Sequence, residues 1–591
     1  MCGIFAYSGK QNASPILIEG LKRLEYRGYD SWGCAVIDGL EIKITKQTGK
    51  ISGIDGSHIL PHSHTGIAHT RWATHGGITQ LNAHPHYATD SSFVLAQNGI
   101  VQNYLTLKDD LIQKGYQFIS ETDTEVIVRL VEETLKNTKD LKEAVRQTML
   151  LLEGRNTIIL LTTSGEIIAA RNGSPLVLGK DTASEDLYMS SDTLSFAPYA
   201  QKMVVINNGE MVRLIDNEIQ ISEIKSNSPV EYSWEDIDIK SDKVDKEGYD
   251  HFMMKEVMES PKTIKQLVLQ EKEKFLELAE AIKNASTVYT VGSGTAGAAA
   301  AQIAFYLREF GKVNAISLIG ADAQEYTELF TDKDLIIAPS QSGETADVLE
   351  VLEVAKSKGM KIASYVNMPG AMMTRMSDFK FMAQAGPEIS VLSTKIFTSQ
   401  VAWGYLLAKT VEGSYELGIQ NLEELCDKMD EYLKDHRVHE ALKNTAEELS
   451  SVNDIFLLGK GQNFLIVKEG MVKLIECTYI HAHAIPAGDL KHYAITLMQP
   501  GVQVIVALSE DTAKSDVINA INEVKARGAE VTAISSFEHP SFSHHLAVPE
   551  LKETSAIMNI IPLQLLAYYI GVELDNDIDK PRNIAKSVTV K

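Results

Sequence analysis

Hydrophobic positions along this chain follow two rhythms. Up to about residue 225 they come in short β-type runs: GIFAY, GCAVI, SFVLAQNGIV, TIILLTT, EIIAAR, LYMSSD and MVVINNGEMVRL. Between them, SPILIEGLKRLEY and TEVIVRLVEETLK carry apolar residues at helical spacing. Strands with irregularly interspersed helices predict an α+β domain over residues 2–225. The polar stretch SNSPVEYSWEDIDIKSDKVDKEGYD, residues 226–250, predicts a linker, and HFMMKEVMESPKTIKQLVLQEKEKFLELAEAI after it predicts helix.

Beyond the linker the pattern becomes α/β and repeats. A buried-type strand, a glycine-rich turn and a helix begin at Val288 (VYTVGSGTAGAAAAQIAFYLREFG) and again at Ile455 (IFLLGKGQNFLIVKEGMVKLIECT). LIIAPSQSGETADVLEVLEVAKSKGMKIASYV from Leu335 is matched by VIVALSEDTAKSDVINAINEVKARGAEVTAIS from Val504, with Ser340 aligned to Ser509 and Gly359 to Gly528. Two similar doubly wound parallel-sheet domains are predicted, at 251–430 and 431–591, with active sites at the carboxyl ends of their strands.

Composition narrows the class. A length of 591 residues calls for three or four domains. Lys and Arg total 56 against 79 Asp and Glu, and the net charge of −23 argues against non-specific nucleic-acid binding while leaving room for a local anion site. The start has no basic region before its short apolar run, and no run of 18 or more apolar residues occurs, so neither a targeting signal nor a membrane span is expected. The four cysteines, Cys2, Cys34, Cys426 and Cys477, form no CxxC pair, which predicts a reducing compartment, the cytoplasm, with no disulfide framework and no zinc site.

Cys2 raises a chemical possibility. Removal of Met1 gives it a free α-amine, whose pKa of about 7.7–8.0 suits it to accept the thiol proton. Further on, Arg71 could hold an α-carboxylate, Asp123 an α-ammonium, and Asn98 with the Gly99 amide an oxyanion. Each alone reads as a turn residue or a surface ion pair. Together, Cys2, EYRGYDS, HTRWATHG, NAHPH, NGI and TDTE resemble the class II glutamine amidotransferase domain of the N-terminal-nucleophile type, over roughly the first 225 residues. The resemblance implies stacked antiparallel sheets flanked by helices. It implies that Cys2 attacks the glutamine amide and that Arg71, Trp72, Thr74, His75, Gly76 and Asp123 form the glutamine site, with Trp72 a gate on the ammonia path. Asn98 and Gly99 become the oxyanion hole. Two departures stand out: Trp32 replaces a usual small residue, and Gln97 a common histidine.

In the second half, SQSGET (340–345) follows a buried strand and opens a helix, so hydroxyls and free amides converge at a positive dipole end, as a phosphate requires. No GKS/T ending follows, which argues against nucleotide hydrolysis. The repeat copy, SEDTAK, has two carboxylates instead, so phosphate binding is expected in the first copy, with GSGT (292–295) nearby. Acid–base candidates fall in the second copy: Lys473 and Glu476, three apart on one helix, then His492 and the tail lysine Lys586.

SQSGETADVLE, STKIFTSQ, YIHAHAIPAGDLKH, PLQLLAYY and PRNIAKSVTV extend the resemblance to nearly the whole chain, to the two sugar isomerase (SIS) domains of the glutamine–fructose-6-phosphate aminotransferase (isomerising) family. That family implies glutamine and fructose 6-phosphate as substrates, glucosamine 6-phosphate as product, no cofactor, and a homodimer through the SIS domains. Its reaction is the first step toward UDP-N-acetylglucosamine. It implies phosphate binding by Thr295, Ser340, Gln341, Ser342 and Thr345. Lys586 becomes the Schiff-base lysine, Glu476 the base between C1 and C2, His492 the ring-opening residue and Lys473 an assistant to Glu476. Ser293, Ala296, His483, Tyr493 and Ala494 depart from the family pattern and bear on which sugar is accepted. Two rivals remain: an amidotransferase for a related keto-sugar phosphate, and a non-catalytic sugar-phosphate sensor. Lys586 argues against the sensor.

Overall fold

The computed structural model describes residues 2–56, 59–215, 218–237 and 245–588. Met1 and the last three residues of the tail lie outside the described residues, and so does any expectation that rests on them. The chain divides into two compact units, one built on Met1–Ser241 and the other on Asp242–Lys586.

In the first unit, two antiparallel sheets stack face to face. The eight-stranded sheet runs in the order Glu235–Asp236, Lys202–Val205, Val177–Lys180, Leu187–Ser190, Gly3–Ser8, Thr65–Arg71, Ser31–Asp38, Glu41–Thr48. The six-stranded sheet runs Glu218–Glu223, Glu210–Ile215, Ile167–Asn172, Asn156–Thr162, Phe93–Gly99, His86–Tyr87. The run GIFAY is apolar throughout because both of its faces are buried. Ile4 and Ala6 point between the sheets to meet Val94, Ala96 and Ile159. Phe5 and Tyr7 point the other way, onto Leu17, Ile18 and Leu21 of the helix Ala13–Leu24. Helices Asp123–Thr138 and Leu141–Leu151 cover the outer face of the second sheet, with Val126, Ile127, Val131 and Val145 against Leu95, Ile158 and Leu160. The predicted α+β class is thus a helix–sheet–sheet–helix sandwich. Part of the expected linker belongs to this unit, because Glu235–Asp236 pairs with Lys202–Met203 and Trp234 packs on the inter-sheet core.

The second unit holds two five-stranded parallel sheets of identical topology. One has the order Ala315–Ile319, Val288–Gly292, Leu335–Ser340, Lys361–Val366, Phe379–Met382. The other has His481–Pro486, Asp454–Gly459, Gln503–Ala507, Glu530–Ser535, His544–Ala547. Both follow the 2-1-3-4-5 order, whose switch point lies between the first and third strands in sequence. The repeat read from the sequence is also a repeat of backbone geometry. Gly294 (φ 57°, ψ −132°) and Gly461 (φ 58°, ψ −128°) cap the helices after the first strands in the same unusual conformation. A Cβ on Gly292 would sit 2.4 Å from the Ala296 carbonyl oxygen, and one on Gly459 2.6 Å from that of Asn463.

The helical segment after the linker is three helices, Phe252–Met258, Ser260–Val268 and Lys272–Asn284, the second carrying Pro261 in its first turn, where proline is tolerated. The helix Ser555–Glu573 is long and apolar enough to cross a bilayer on length and composition, yet 89% of its apolar window is buried within the fold. It packs along the helix Gln462–Thr478 as a core element.

Candidate active sites

In the first unit the strand Gly3–Ser8 pairs with Thr65–Arg71, Gly3 opposite Thr70, and this pairing sets Cys2 against the loop that begins at Trp72. The Trp72 N–H donates to Cys2 Sγ at 3.3 Å. Burial pushes the thiol pKa up, and the Trp72 amide and the Arg71 guanidinium pull against it. Arg27 Nε donates to the Cys2 carbonyl at 3.4 Å, and Arg27 is itself paired with Asp192 at 3.3 Å. Arg27 lies within the quoted EYRGYDS motif, whereas Asp192 had no sequence signal of its own.

The loop 71–77 is held from several sides. The buried Arg71 donates to the carbonyls of His75 (2.5 Å), Gly77 (3.2 Å) and Gly76 (3.4 Å). Asp30 accepts the Ala73 N–H at 2.8 Å, and Glu121 accepts that of Gly77 at 3.1 Å. Gly76 adopts φ +77°, where a Cβ would meet that of Glu121 at 2.8 Å, so this turn requires glycine. Thr74 is exposed on the loop, and the Trp72 ring stands edge-on to Tyr29 at 5.9 Å. The His75 ring packs edge-on to Tyr104 at 4.9 Å.

Asn98 and Gly99 end the strand Phe93–Gly99, opposite Thr157 and Asn156. Asn98 is buried beside His69, and among the described residues neither of its side-chain amide atoms makes a hydrogen bond of normal geometry, an arrangement that native structures rarely leave without a use. Gly99 has φ +144°, and a Cβ there would lie 2.2 Å from the Arg155 carbonyl oxygen. Asp123 opens the helix Asp123–Thr138, and its buried carboxylate accepts the Val101 N–H at 2.8 Å. Burial raises its pKa, against the pull of that N–H, His75 and Arg71.

Behind the Asn98 strand lie three buried histidines. His69 and His84 rings are 4.3 Å apart, and His84 and His86 rings 5.0 Å. His69 Nε2 hydrogen-bonds the Gln97 carbonyl at 2.8 Å, and the Gln97 side chain joins Thr124 (2.5 Å) and Asn156 (2.6 Å). Gln97, a departure from the family pattern, therefore completes a buried polar network. Trp32, the other departure, is buried in the core against the helix Ala13–Leu24.

In the second unit, the loop 340–345 leaves the strand Leu335–Ser340 and opens the helix Ala346–Ser357. Ser340 Oγ accepts the Gly343 N–H at 2.8 Å, so this hydroxyl shapes the turn. Ser342 Oγ accepts the Glu344 N–H at 3.2 Å. Thr345 takes the helix N-cap position without a side-chain cap bond, and with Gln341 it is half-exposed, so its hydroxyl remains available. Gly343 has φ +66°, and a Cβ there would lie 2.6 Å from that of Ala371.

Thr295, in the first turn of the helix Thr295–Glu309, reaches toward the helix Gln462–Thr478. Its hydroxyl donates to Glu469 Oε1 at 3.0 Å and accepts from Lys473 Nζ at 3.0 Å. Lys473 also pairs with Glu476 (2.6 Å) and Glu469 (3.3 Å). Burial alone would lower the lysine pKa, but the two carboxylates outweigh it and raise it. Glu469 is fully buried, and desolvation lifts its carboxyl to about 7 against the pull of Lys473. The sequence reading missed Glu469, although its spacing with Lys473 and Glu476, i, i+4 and i+7, marks one helix face.

The tail reaches the same region. Asn576 donates to the Cys477 carbonyl at 3.0 Å, and the Arg582 N–H donates to Tyr479 Oη at 2.9 Å. Lys586 Nζ donates to Glu388 Oε2 at 2.5 Å and to the Ser390 carbonyl at 2.7 Å. That side-chain partner is a buried carboxylate, Glu388. His492 lies in the short 3-10 helix Leu490–His492 with an exposed side chain. Among the described residues no hydrogen bond or ion pair joins it to Glu476 or Lys586. Tyr493 and His483 are also exposed, whereas Ala494 is buried.

The glutamine amidotransferase domain family matches residues 41–227, and the SIS domain family matches 281–410 and 448–573. The chain is 37% identical over 604 residues to the glutamine–fructose-6-phosphate aminotransferase (isomerizing) of Thermococcus kodakarensis, covering all of both chains. It is 36% identical over 616 residues to that of Methanococcus maripaludis, again over the full length of both. Among solved structures, the C-terminal domain of the aminotransferase from Francisella tularensis superposes with a TM-score of 0.51 at 27% identity, covering 57% of this chain and 99% of that one. With both halves matched in one chain at full length, the protein belongs to the glutamine–fructose-6-phosphate aminotransferase (isomerizing) family.

Proposed function

We propose that the protein converts glutamine and fructose 6-phosphate to glutamate and glucosamine 6-phosphate. Cys2 Sγ attacks the side-chain amide of glutamine. The Asn98 amide, buried beside His69, and the Gly99 N–H take the developing oxyanion. Asp123 offsets its own burial by pairing with the substrate ammonium, and the Arg71 guanidinium trades loop carbonyls for the substrate carboxylate. The acyl-enzyme then yields glutamate to water, and the released ammonia passes to the sugar site, with Trp72 guarding its exit.

At the sugar site, the amides and hydroxyls of 340–345 and the first turn of Thr295–Glu309 hold the phosphate. His492 opens the ring. Lys586 forms an imine at C2, which acidifies C1. Ammonia replaces the lysine, and Glu476, oriented by Lys473, moves the proton between C1 and C2. The observation that carries this reading is the Thr295–Glu469–Lys473–Glu476 array, which joins the first turn of the helix Thr295–Glu309 in one SIS domain to the helix Gln462–Thr478 in the other.

Incubation with glutamine and fructose 6-phosphate, followed by mass detection, tests it. Glucosamine 6-phosphate is the expected product. Turnover only with another ketose phosphate would favour the related amidotransferase, and sugar-phosphate binding without turnover would favour the sensor.

A further inference from the structure

Three fastenings hold the tail to the second unit. Asp579 accepts the N–H groups of Phe252 and Met253, both at 2.9 Å, at the start of the helix Phe252–Met258. Arg582 lies over the Tyr479 ring at 4.1 Å. The third is Lys586, whose side chain is only 2% exposed, on Glu388, whose side chain is fully buried.

Glu388 is itself rigidly placed. Its Oε1 accepts the N–H groups of Thr394 (2.9 Å) and Ile396 (3.2 Å) at the start of the helix Lys395–Glu412, and its Oε2 accepts from Ser393 Oγ at 2.9 Å. Burial alone would raise its carboxyl pKa, but Lys586, the Thr394 N–H and Lys395 hold it lowered. Two other charged groups, Lys395 and Glu256, lie close by, and Glu256 feels the charge of Lys586 without making an ion pair with it. Lys395 is spent on Glu259 (2.6 Å) and on the carbonyls of Ala385 and Pro387. Glu256 accepts the N–H groups of Ile389 and Ser390, and burial lifts its carboxyl to about 8. Among the described residues, Glu388 is the one acidic side chain within ion-pair distance of Lys586.

We propose that Glu388 is the positioning residue for Lys586: its carboxylate, anchored on the helix Lys395–Glu412, docks the tail lysine inside the second unit and presents it for imine formation. Removing one partner of a buried ion pair leaves an uncompensated charge, so without Glu388 the lysine leaves for water and carries the tail with it. A reacting group released to solvent loses its effective concentration. The docking itself does not depend on the proposed chemistry; its catalytic consequence rests on Lys586 being the imine lysine. That step is balanced: ammonium and ketone give iminium and water, the proton that leaves Nζ before attack returning to the carbinolamine oxygen, which departs as water.

Limited trypsin digestion of the full chain reads the docking directly, as release of the peptide after Lys586. The Glu388→Gln variant, which keeps the side-chain shape without the charge, releases it at least about tenfold faster than the native protein. Glu388→Asp keeps the charge and stays within about threefold of native. If Glu388→Gln does not fold, Lys586→Met breaks the pair from the other side, and cleavage then accelerates after Arg582. Borohydride trapping with fructose 6-phosphate forms the second arm. Glu388→Gln loses about tenfold of the adduct at Lys586 while fructose 6-phosphate affinity stays within about twofold. Tail cleavage at the native rate in Glu388→Gln and Lys586→Met overturns the docking. A native adduct at a lysine other than Lys586, with accelerated cleavage in Glu388→Gln, overturns the imine assignment and leaves the docking standing. Accelerated cleavage with a native-level adduct at Lys586 overturns the presenting role.

Discussion

Thr295 and Glu469 meet across the two SIS domains, hydroxyl to carboxylate at 3.0 Å. The hydroxyl belongs to the helix Thr295–Glu309 of the first domain, at the end proposed to bind the phosphate, and the carboxylate to the helix that carries Lys473 and Glu476 in the second. In the proposed function, the domain that grips the phosphate is thereby tied to the groups that move the proton. Thr295→Val removes a hydrogen bond to a charged group, about 1.5–3 kcal/mol, and leaves Glu469 without its hydroxyl partner. Ketose-to-aldose isomerisation, followed by deuterium exchange at C1, is expected to fall by at least about tenfold while Cys2-dependent glutamine hydrolysis remains measurable. An unchanged exchange rate would remove Thr295 from the account.

Gly99→Ala tests the oxyanion site through its backbone. With φ at +144° and the Arg155 carbonyl 2.2 Å from any Cβ, the strand end has to move. Strain of about 1–3 kcal/mol is expected. The glutaminase rate should drop by at least about a hundredfold, through the displaced amide and its neighbour Asn98. A glutaminase rate within threefold of native would show that this amide takes no part.

The buried histidines make the first unit acid-sensitive. Burial lowers the pKa of His69 to about 3 and those of His84 and His86 well below the ordinary value. All three stay neutral in the fold, whereas the unfolded chain takes up protons below about pH 6.5. Stability is therefore full above that pH and is lost as pH falls toward the folded values, by up to about 1.4 kcal/mol per pH unit for each histidine. Urea unfolding between pH 7.5 and 4.5 checks this by fluorescence, since Trp32, Trp72 and Trp234 report on that unit. His84→Gln should make the slope shallower by about one histidine, and an unchanged slope would contradict it.

Thr345→Ala and Ser342→Ala separate ligand contacts from loop shape. Each removes one proposed hydrogen bond to the sugar phosphate, about 1.5–3 kcal/mol, so affinity for fructose 6-phosphate should fall about tenfold or more. Because Thr345 makes no cap bond, its substitution should leave the melting temperature unchanged. Isothermal titration and thermal denaturation together decide, and native sugar affinity in both variants would move the phosphate elsewhere.

Much of this was legible before any coordinates. Parallel strands buried on both faces, such as LIIAPS and VIVALS, announce themselves as continuous apolar runs, and paired glycine turns gave away the repeat. Cys2, Arg71, Asn98 and Asp123 stood out from their motifs as candidates. Three features stayed hidden. Glu469 sits mid-helix among apolar residues, where a lone glutamate reads as a solvated face until the partner across the domain boundary is seen. Glu388 lies in an irregular segment, and its link to Lys586 spans 198 positions that no periodicity reports. The helix Ser555–Glu573 is apolar on every side because it is enclosed on every side, a property of tertiary packing that composition cannot distinguish from a bilayer span.

The central claim is that one chain feeds ammonia from a cysteine glutaminase to an SIS-domain sugar site. The most direct measurement offers [amide-15N]glutamine and fructose 6-phosphate in the presence of excess unlabelled ammonium, with the isotope ratio of glucosamine 6-phosphate read by mass spectrometry. The account predicts product dominated by 15N from the native protein, and only unlabelled product, made slowly, from Cys2→Ala. Unlabelled product from the native protein, or the same 15N fraction from Cys2→Ala, would contradict it.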